Sequence, residues 1–319
     1  MSEYVEKNMK NIKQEFKDKG VYYTPDELAE TLLSFVDIDY KTAYDPTCGS
    51  GNLLMKLDKT IEKYGQELDG EQLEIARRRL ENFTGYTGDT LLDDGFSDKK
   101  FDLILGNPPF SIKYNAEAIN IEKDERFKEC GVLPPQSKAD WAFMLHILHH
   151  LDDNGVAVVI EFPGILYRSQ KEAKIREWFV RNNYIDRVVH IPGNTFVDTT
   201  ISTCILVLKK NKKTTDIIFE NREDNVSRIV PFEEVEKNNF NLSVSQYVEA
   251  EKKKEEINID AINKQIADAI LHRIDCFFQM RAMEKYFTDN FYIDYFKEEC
   301  RKILQADDEK EMLRKENCQ

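Results

Sequence analysis

The chain has 319 residues, with 45 Lys and Arg against 59 Asp and Glu and a formal net charge of −14. A chain this acidic attracts a phosphate backbone poorly over distance, so any grip on nucleic acid needs a local basic groove or a second chain. Hydrophobic residues make up 41%, enough for one large domain or one domain plus a smaller unit. No apolar run is long enough to span a bilayer and the N-terminus has no signal-peptide shape. The six cysteines form no Cys-x-x-Cys pair, so neither a zinc site nor a disulfide framework is indicated, and a reducing cytoplasm is expected, with no metal.

Residues 1–21 are charged, with Tyr4, Val5, Met9, Ile12 and Phe16 spaced as one face of an amphipathic helix. Thr24-Pro25-Asp26-Glu27 reads as a helix start: a hydroxyl cap, proline at the first position, acids in the first turn. A short extended stretch (Thr42 to Tyr44) leads into Asp45-Pro-Thr-Cys-Gly-Ser-Gly51, and Leu53, Leu54 and Leu57 predict a helix after it. Glycines in such a turn let a ligand approach the backbone, and a helix start offers free N–H groups. Strands are predicted at Lys63 to Leu68 and Phe83 to Thr87, flanking a helix over 71–81.

Phe101 to Leu105 reads as a buried strand that ends in Gly106-Asn107-Pro108-Pro109-Phe110. The prolines make a stiff, non-helical exit and hold Asn107 extended. A fixed carboxamide and a ring at a strand end suit a flat, polar-edged substrate such as a nucleobase. The polar 112–136 segment is long enough to form a lid over it. A helix follows at Ala139 to Leu151, bearing His146, His149 and His150 as packing or surface residues. A continuous apolar strand (Val156 to Ile160), a helix (Glu172 to Arg181), and strands at Arg187 to Ile191 and Thr203 to Leu208 complete the sheet. Continuous apolar strands alternating with helices predict a doubly wound, mostly parallel α/β sheet. Asp45, Glu67, Asp89 and Asn107 then all fall at strand carboxyl ends, where such sheets bind ligands.

Basic clusters are small. Lys209, Lys210, Lys212 and Lys213 read as a solvated turn, and Arg77 to Arg79 as helix partners of Glu71, Glu74 and Glu81. From about Glu249 the texture changes. Ile262, Ile266, Ile270 and Ile274 recur on one helix face, and aromatics from Phe277 to Phe296 follow. Residues 251–319 are therefore expected to be a helical arm, folded back on the catalytic domain or docked on a partner.

Tyr22-Tyr23-Thr24-Pro25, the 45–51 turn, Gly65-Gln-Glu-Leu-Asp69, Gly88-Asp-Thr-Leu91 and Asn107-Pro-Pro-Phe110 stand in one order. Ser137-Lys-Ala-Asp-Trp-Ala-Phe143, Pro192-Gly-Asn-Thr-Phe196 and Asn241 to Val248 continue it. Together they resemble the N6-adenine DNA methyltransferases, and within them the modification subunit of type I restriction–modification systems. The resemblance implies the class I S-adenosylmethionine-dependent methyltransferase fold, with a catalytic domain at 22–250. It implies Tyr23, Thr24, Asp45, Thr47, Gly49, Ser50, Gly51, Glu67, Asp89 and Asn107 around S-adenosylmethionine. Asn107, Pro108, Pro109 and Phe110 are implied in methyl transfer to adenine N6, with Phe110, Phe196 and Asp140 at the target base. It also implies DNA, a specificity subunit with target-recognition domains and a restriction subunit as partners. Only residues 1–21 precede Tyr22, so the family's N-terminal helical domain is expected to be missing. A target-recognition domain, on the order of 100 residues, has no room. A free-standing adenine methyltransferase, an RNA or protein-glutamine methyltransferase, and a non-catalytic subunit of the same fold remain the alternatives.

Overall fold

The computed structural model describes residues 26–193, 202–248 and 259–283. The chain divides into two compact units, Met1–Glu251 and Lys252–Gln319.

The first unit is built on a nine-stranded sheet. Its strands are β1 (Thr42–Asp45), β2 (Glu62–Glu67), β3 (Phe83–Thr87), β4 (Phe101–Gly106), β5 (Leu151–Glu161), β6 (Ile185–Ile191), β7 (Thr203–Lys209), β8 (Ile217–Asn221) and β9 (Val226–Val230). The order across the sheet is β3-β2-β1-β4-β5-β7-β6-β8-β9. The run from β3 to β5 is parallel, while β7 lies antiparallel between β5 and β6. The strand order reverses between β1 and β4, the position at which open α/β sheets form a crevice.

Helices cover both faces. α1 (Asp26–Leu33) and α2 (Gly70–Arg79) bury Leu28, Leu32, Leu73 and Ala76 against Leu103, Leu105 and Val158. After the short α3 (Glu125–Lys128), α4 (Asp140–His150) and α5 (Lys171–Arg181) bury Trp141, Ile147, Ile175 and Phe179 against Ile104, Ala157 and Val159. Neighbouring residues of β4 and β5 thus enter opposite core layers, which explains why these strands are apolar without alternation. α2 starts where Asp69 accepts the Glu71 N–H, and it ends in three arginines that oppose the helix dipole.

Several expectations are corrected. The run after the glycine turn is only a 3₁₀ turn, Leu54–Lys56, because Leu57 is extended and Asp58 accepts both the N–H and hydroxyl of Thr60. β6 and β7 do not close the sheet: β8 and β9 extend it, and α6 (Phe232–Lys237) follows β9. The Lys209–Lys213 turn is not simply solvated. Lys210 donates to the Leu151 carbonyl, and Lys212 to those of Ile185 and Asp216. Burial pushes Lys212 down to about 8. The 112–136 segment is not among these corrections: it buries Tyr114, Ile119 and Phe127 in the core and places Ile112, Lys113 and Tyr114 on the cavity at the strand ends.

In the second unit, α7 (Ile259–Met283) leaves Ile266, Ile270, Ile274 and Phe278 exposed. The helix expected over residues 1–21, Tyr23, Thr24, Phe196 and the aromatics after Phe278 lie outside the described residues. Among the described residues, no helix is long and apolar enough to cross a membrane.

Candidate active site

β1, β2, β3 and β4 carry their polar residues to one edge of the sheet, and a cleft of about 360 Å³ opens there. Asp45 and Glu67 are the last residues of β1 and β2. Asp89 comes two residues after β3, and Asn107 directly follows β4. Thr47, Gly49, Glu67, Asp89, Asn107 and Pro109 all line the cleft. The strand-end pattern therefore brings the two sequence motifs into one cavity.

The turn after β1 is tied to β2 by two bonds. Cys48 N–H donates to the Gln66 carbonyl at 2.9 Å, and Gly49 N–H to Glu67 Oε2 at 2.8 Å. Gly49 and Gly51 both have positive φ, 52° and 83°. A Cβ at Gly51 would meet Leu80 Cδ1 at 2.7 Å, so this glycine is required for packing as well. A Cβ at Gly49 would meet nothing within 4 Å, which leaves the backbone open on the cleft side. The Thr47 Oγ1 is buried with no hydrogen-bond partner. Arg79 braces the turn from outside through the Ser50 carbonyl and hydroxyl and Asn52 Oδ1. That contact replaces the helix-surface pairing expected for it.

Asp45 is 2% exposed and accepts the Thr47 N–H at 3.0 Å. Burial pushes its carboxyl up to about 7, against the pull of that N–H, and the Glu67 charge pushes in the same direction as burial. It shapes the turn from below the cleft. Leu68 follows Glu67 and is 71% exposed on the cleft wall, an apolar surface that sequence reasoning missed.

Asp89 Oδ1 accepts the Leu91 N–H at 2.9 Å. The loop behind it is fixed from two sides. Gln66 donates to the carbonyls of Gly88 and Asp93, and Arg126, on α3, donates to those of Thr90 and Leu91. Arg126 also forks onto Asp124 and donates to His146 Nδ1 at 3.2 Å. Burial, then the neighbouring His150, hold the His146 imidazole well below its ordinary value, so it is neutral and turns Nε2 to the Tyr44 hydroxyl at 3.0 Å. Asp94, His146 and His150 place their ligand-type atoms within 4.8 Å of one another. The Arg126 guanidinium is 3.8 Å from Asp94 Oδ2 in the same cluster, so an arginine supplies positive charge beside these groups.

On the other side, Asn107 and Pro109 line the cleft, Pro108 is buried, and Phe110 is half-buried against the α1–α2 core layer. Asp140 is 1% exposed and is not among the cleft's lining residues. Its carboxylate holds the Ser111 N–H at 2.9 Å and meets Arg168 at 3.3 Å; the helix itself is capped at Ala139 without a side chain. Ile112, Lys113, Tyr114 and Phe143 complete the rim.

A sequence profile for N-6 DNA methylase matches residues 1–226. The chain is similar to the MpnII type I restriction enzyme methylase subunit of Mycoplasma pneumoniae, 32% identical over 313 residues, covering 80% of this chain and 58% of that protein. It is also similar to the solved methyltransferase subunit of a type I restriction-modification system from Streptococcus thermophilus. That match has 31% identity and a TM-score of 0.67, and covers 72% of this chain and 59% of the other. The chain thus spans less than two thirds of either relative. A Listeria monocytogenes protein assigned to the class I S-adenosylmethionine-dependent methyltransferases shares the fold, with a TM-score of 0.51 at 19% identity, covering 63% of this chain and 66% of that one. The sheet order and two-sided helix cover are those of the class I methyltransferase fold. With the profile matched over most of its length, the chain belongs to the N-6 DNA methylase family.

Proposed function

We propose that the chain transfers a methyl group from S-adenosylmethionine to the N6 amino group of adenine in DNA, as the modification subunit of a complex with a separate specificity chain. The observation that carries this reading is the single cleft shared by Glu67 and Asp89 on one side and Asn107 and Pro109 on the other.

The residues present fit the cofactor. Glu67 Oε1 and Oε2 each accept one backbone N–H and retain capacity for ribose hydroxyls. Leu68 offers an apolar face to adenine, and Asp89 an acceptor for its amino group. The open backbone at Gly49 and the unpartnered Thr47 Oγ1 suit the amino acid end. Ser50, Gly51 and Asp45 support that turn, and Tyr23 and Thr24 are assigned to the same end on the family resemblance. When bound, the cofactor supplies an electrophilic methyl group on its sulfonium.

The Asn107 carboxamide oxygen and the Pro108 carbonyl accept from the adenine amino group. This draws the nitrogen toward tetrahedral geometry and turns its lone pair to the methyl. Catalysis is then mainly orientation and hydrogen bonding, with the proton lost from nitrogen after transfer. Phe110 stacks on the extruded base, with Phe196 at the other face, since a base inside a duplex cannot reach such a cavity. Residues 251–319 serve as the docking arm, consistent with the apolar stripe on α7, and the −14 charge favours a separate chain that supplies much of the grip on DNA. Two copies of this chain flank one specificity subunit around DNA, and a restriction subunit joins the same complex.

Calorimetry with S-adenosylmethionine and tritiated methyl transfer to DNA, with and without a specificity chain, test the reading. Absence of binding at millimolar cofactor overturns it. Efficient methylation of one defined sequence by the chain alone replaces the complex with a free-standing enzyme.

A further inference from the structure

We infer that Asp140 and Arg168 are positioning residues that lock Ser111, and through it the Asn107–Phe110 segment, in its working conformation. The inference rests on the reading of that segment as the target-base side of the site.

Ser111 directly follows Phe110 and has φ +53°. An L side chain adopts this backbone at a cost of roughly 1–2 kcal/mol, and it persists where surrounding contacts over-determine it. Those contacts are present. Asp140 Oδ1 takes the Ser111 N–H at 2.9 Å. Arg168 Nη2 donates to Ser111 Oγ at 2.8 Å. Arg168 Nη1 reaches Asp140 Oδ2 at 3.3 Å and Glu172 Oε1 at 3.2 Å. One residue further on, the Ile112 carbonyl accepts from Ala139 N–H at 2.9 Å. Backbone and side chains from the start of α4 and from the β5–α5 connection therefore converge on the residue that ends the Asn-Pro-Pro-Phe run.

The guanidinium is itself held in place. It stacks over the Phe162 ring at 5.5 Å. A Cβ at Gly164 would meet Arg168 Nε at 2.6 Å, so that glycine leaves the space the arginine fills. Asp140 and Glu172 are buried. Placing these charges out of water is costly, and an apolar cluster of similar volume fills a core as well. A planar fork that meets a serine hydroxyl and two carboxylates at once instead specifies geometry. Pro108 and Pro109 stiffen the upstream end of the loop, and the Asp140–Ser111–Arg168 clamp fixes its downstream end. Phe110 lies between the two.

The test uses the intact chain, with its specificity partner present for turnover. Arg168→Met removes the fork, Arg168→Lys keeps the charge without it, and Ser111→Ala removes the hydroxyl while leaving no buried charge unpaired. Hydrogen exchange over residues 107–113 reads the clamp without requiring methyl transfer. It is expected to speed up roughly tenfold in Arg168→Met and less in the other two. Turnover at saturating cofactor and DNA is expected to fall on the order of tenfold to a hundredfold in Arg168→Met, with partial rescue by Lys and cofactor affinity within about twofold of the parent. Unchanged exchange in a folded Arg168→Met overturns the inference, as does a turnover loss matched by an equal loss of cofactor affinity. If Arg168→Met does not fold, unchanged exchange in Ser111→Ala overturns it. A parent chain that exchanges slowly over 107–113 but transfers no methyl group to DNA would refute the proposed function and leave the clamp standing.

Discussion

Glu67 Oε2 accepts the Gly49 backbone N–H at 2.8 Å, so the acid that closes β2 also holds the glycine turn that follows β1. Its Oε1 accepts the Asp69 N–H at 3.0 Å, at the start of α2. One carboxylate thereby sets the spacing between three elements around the cleft.

Glu67→Ala should weaken S-adenosylmethionine binding by about 1–3 kcal/mol, through loss of a charge-assisted acceptor and slackening of the turn. Glu67→Gln should fall between, because an amide can satisfy only one of the two N–H groups. Calorimetric titration reads both. Equal affinity in the Ala variant and the parent would remove Glu67 from the cofactor site.

Asn107→Ala should abolish methyl transfer while cofactor binding stays largely intact, because its carboxamide is assigned to the adenine amino group. Phe110→Ala should retain more activity and lose roughly 1–3 kcal/mol of base stacking. It should also lower thermal stability, since the ring packs on the α1–α2 core layer. Tritiated methyl incorporation into DNA is the assay, and substantial activity in Asn107→Ala would contradict the role.

Asp45 titrates near 7 in the folded chain, mainly through burial, against about 4 when unfolded. The folded state therefore holds this proton more tightly. The stabilisation it brings is complete below about pH 4 and is lost as pH rises through about 7, at up to about 1.4 kcal/mol per unit between them. Asp45→Asn lacks this titration. Its stability relative to the parent should rise from pH 5 to 7 and level off above. Urea unfolding at several pH values checks the slope, and a pH-independent difference would place the ionised carboxylate in a better-solvated setting.

Arg126→Met should destabilise the domain by about 1–3 kcal/mol, since Asp124 keeps only the backbone N–H of residue 126 and the donor to His146 is lost. It should also weaken cofactor binding, because the Thr90 and Leu91 carbonyls beside Asp89 lose their tether. Thermal unfolding and calorimetry measure the two effects. Unchanged affinity in a folded variant would make the tether irrelevant to the cleft.

Truncation after Ala250 should leave cofactor binding and thermal stability unchanged and eliminate partner-dependent methylation. Co-purification with the specificity chain and unfolding temperature are the readouts. A marked drop in unfolding temperature would instead mean that the arm packs on its own catalytic domain.

The alternation of apolar strands and helices was legible in sequence because β4, β5 and β7 are buried on both faces and read as unbroken runs. So was the placement of Asn107 at a strand end, since Gly and Pro break the apolar run of β4 there, and that of Asp45, Glu67 and Asp89, since each stands beside a Gly, a Pro or a helix start at the end of an extended stretch. β8 and β9 were not legible. β9 is an edge strand with three consecutive exposed residues, so its pattern carries little apolar signal. The 3₁₀ turn after Gly51 has the sequence signature of a helix, because three leucines at helical spacing do not reveal the Asp58 side chain that stops it. The pairings that brace the site, Arg79 with Ser50, Arg126 with Leu91 and Arg168 with Ser111, join residues 29, 35 and 57 positions apart. Local propensity and period carry no information at that range. Only the folded sheet, by bringing strand ends and helix starts to one edge, decides which arginine meets which carbonyl, hydroxyl or carboxylate.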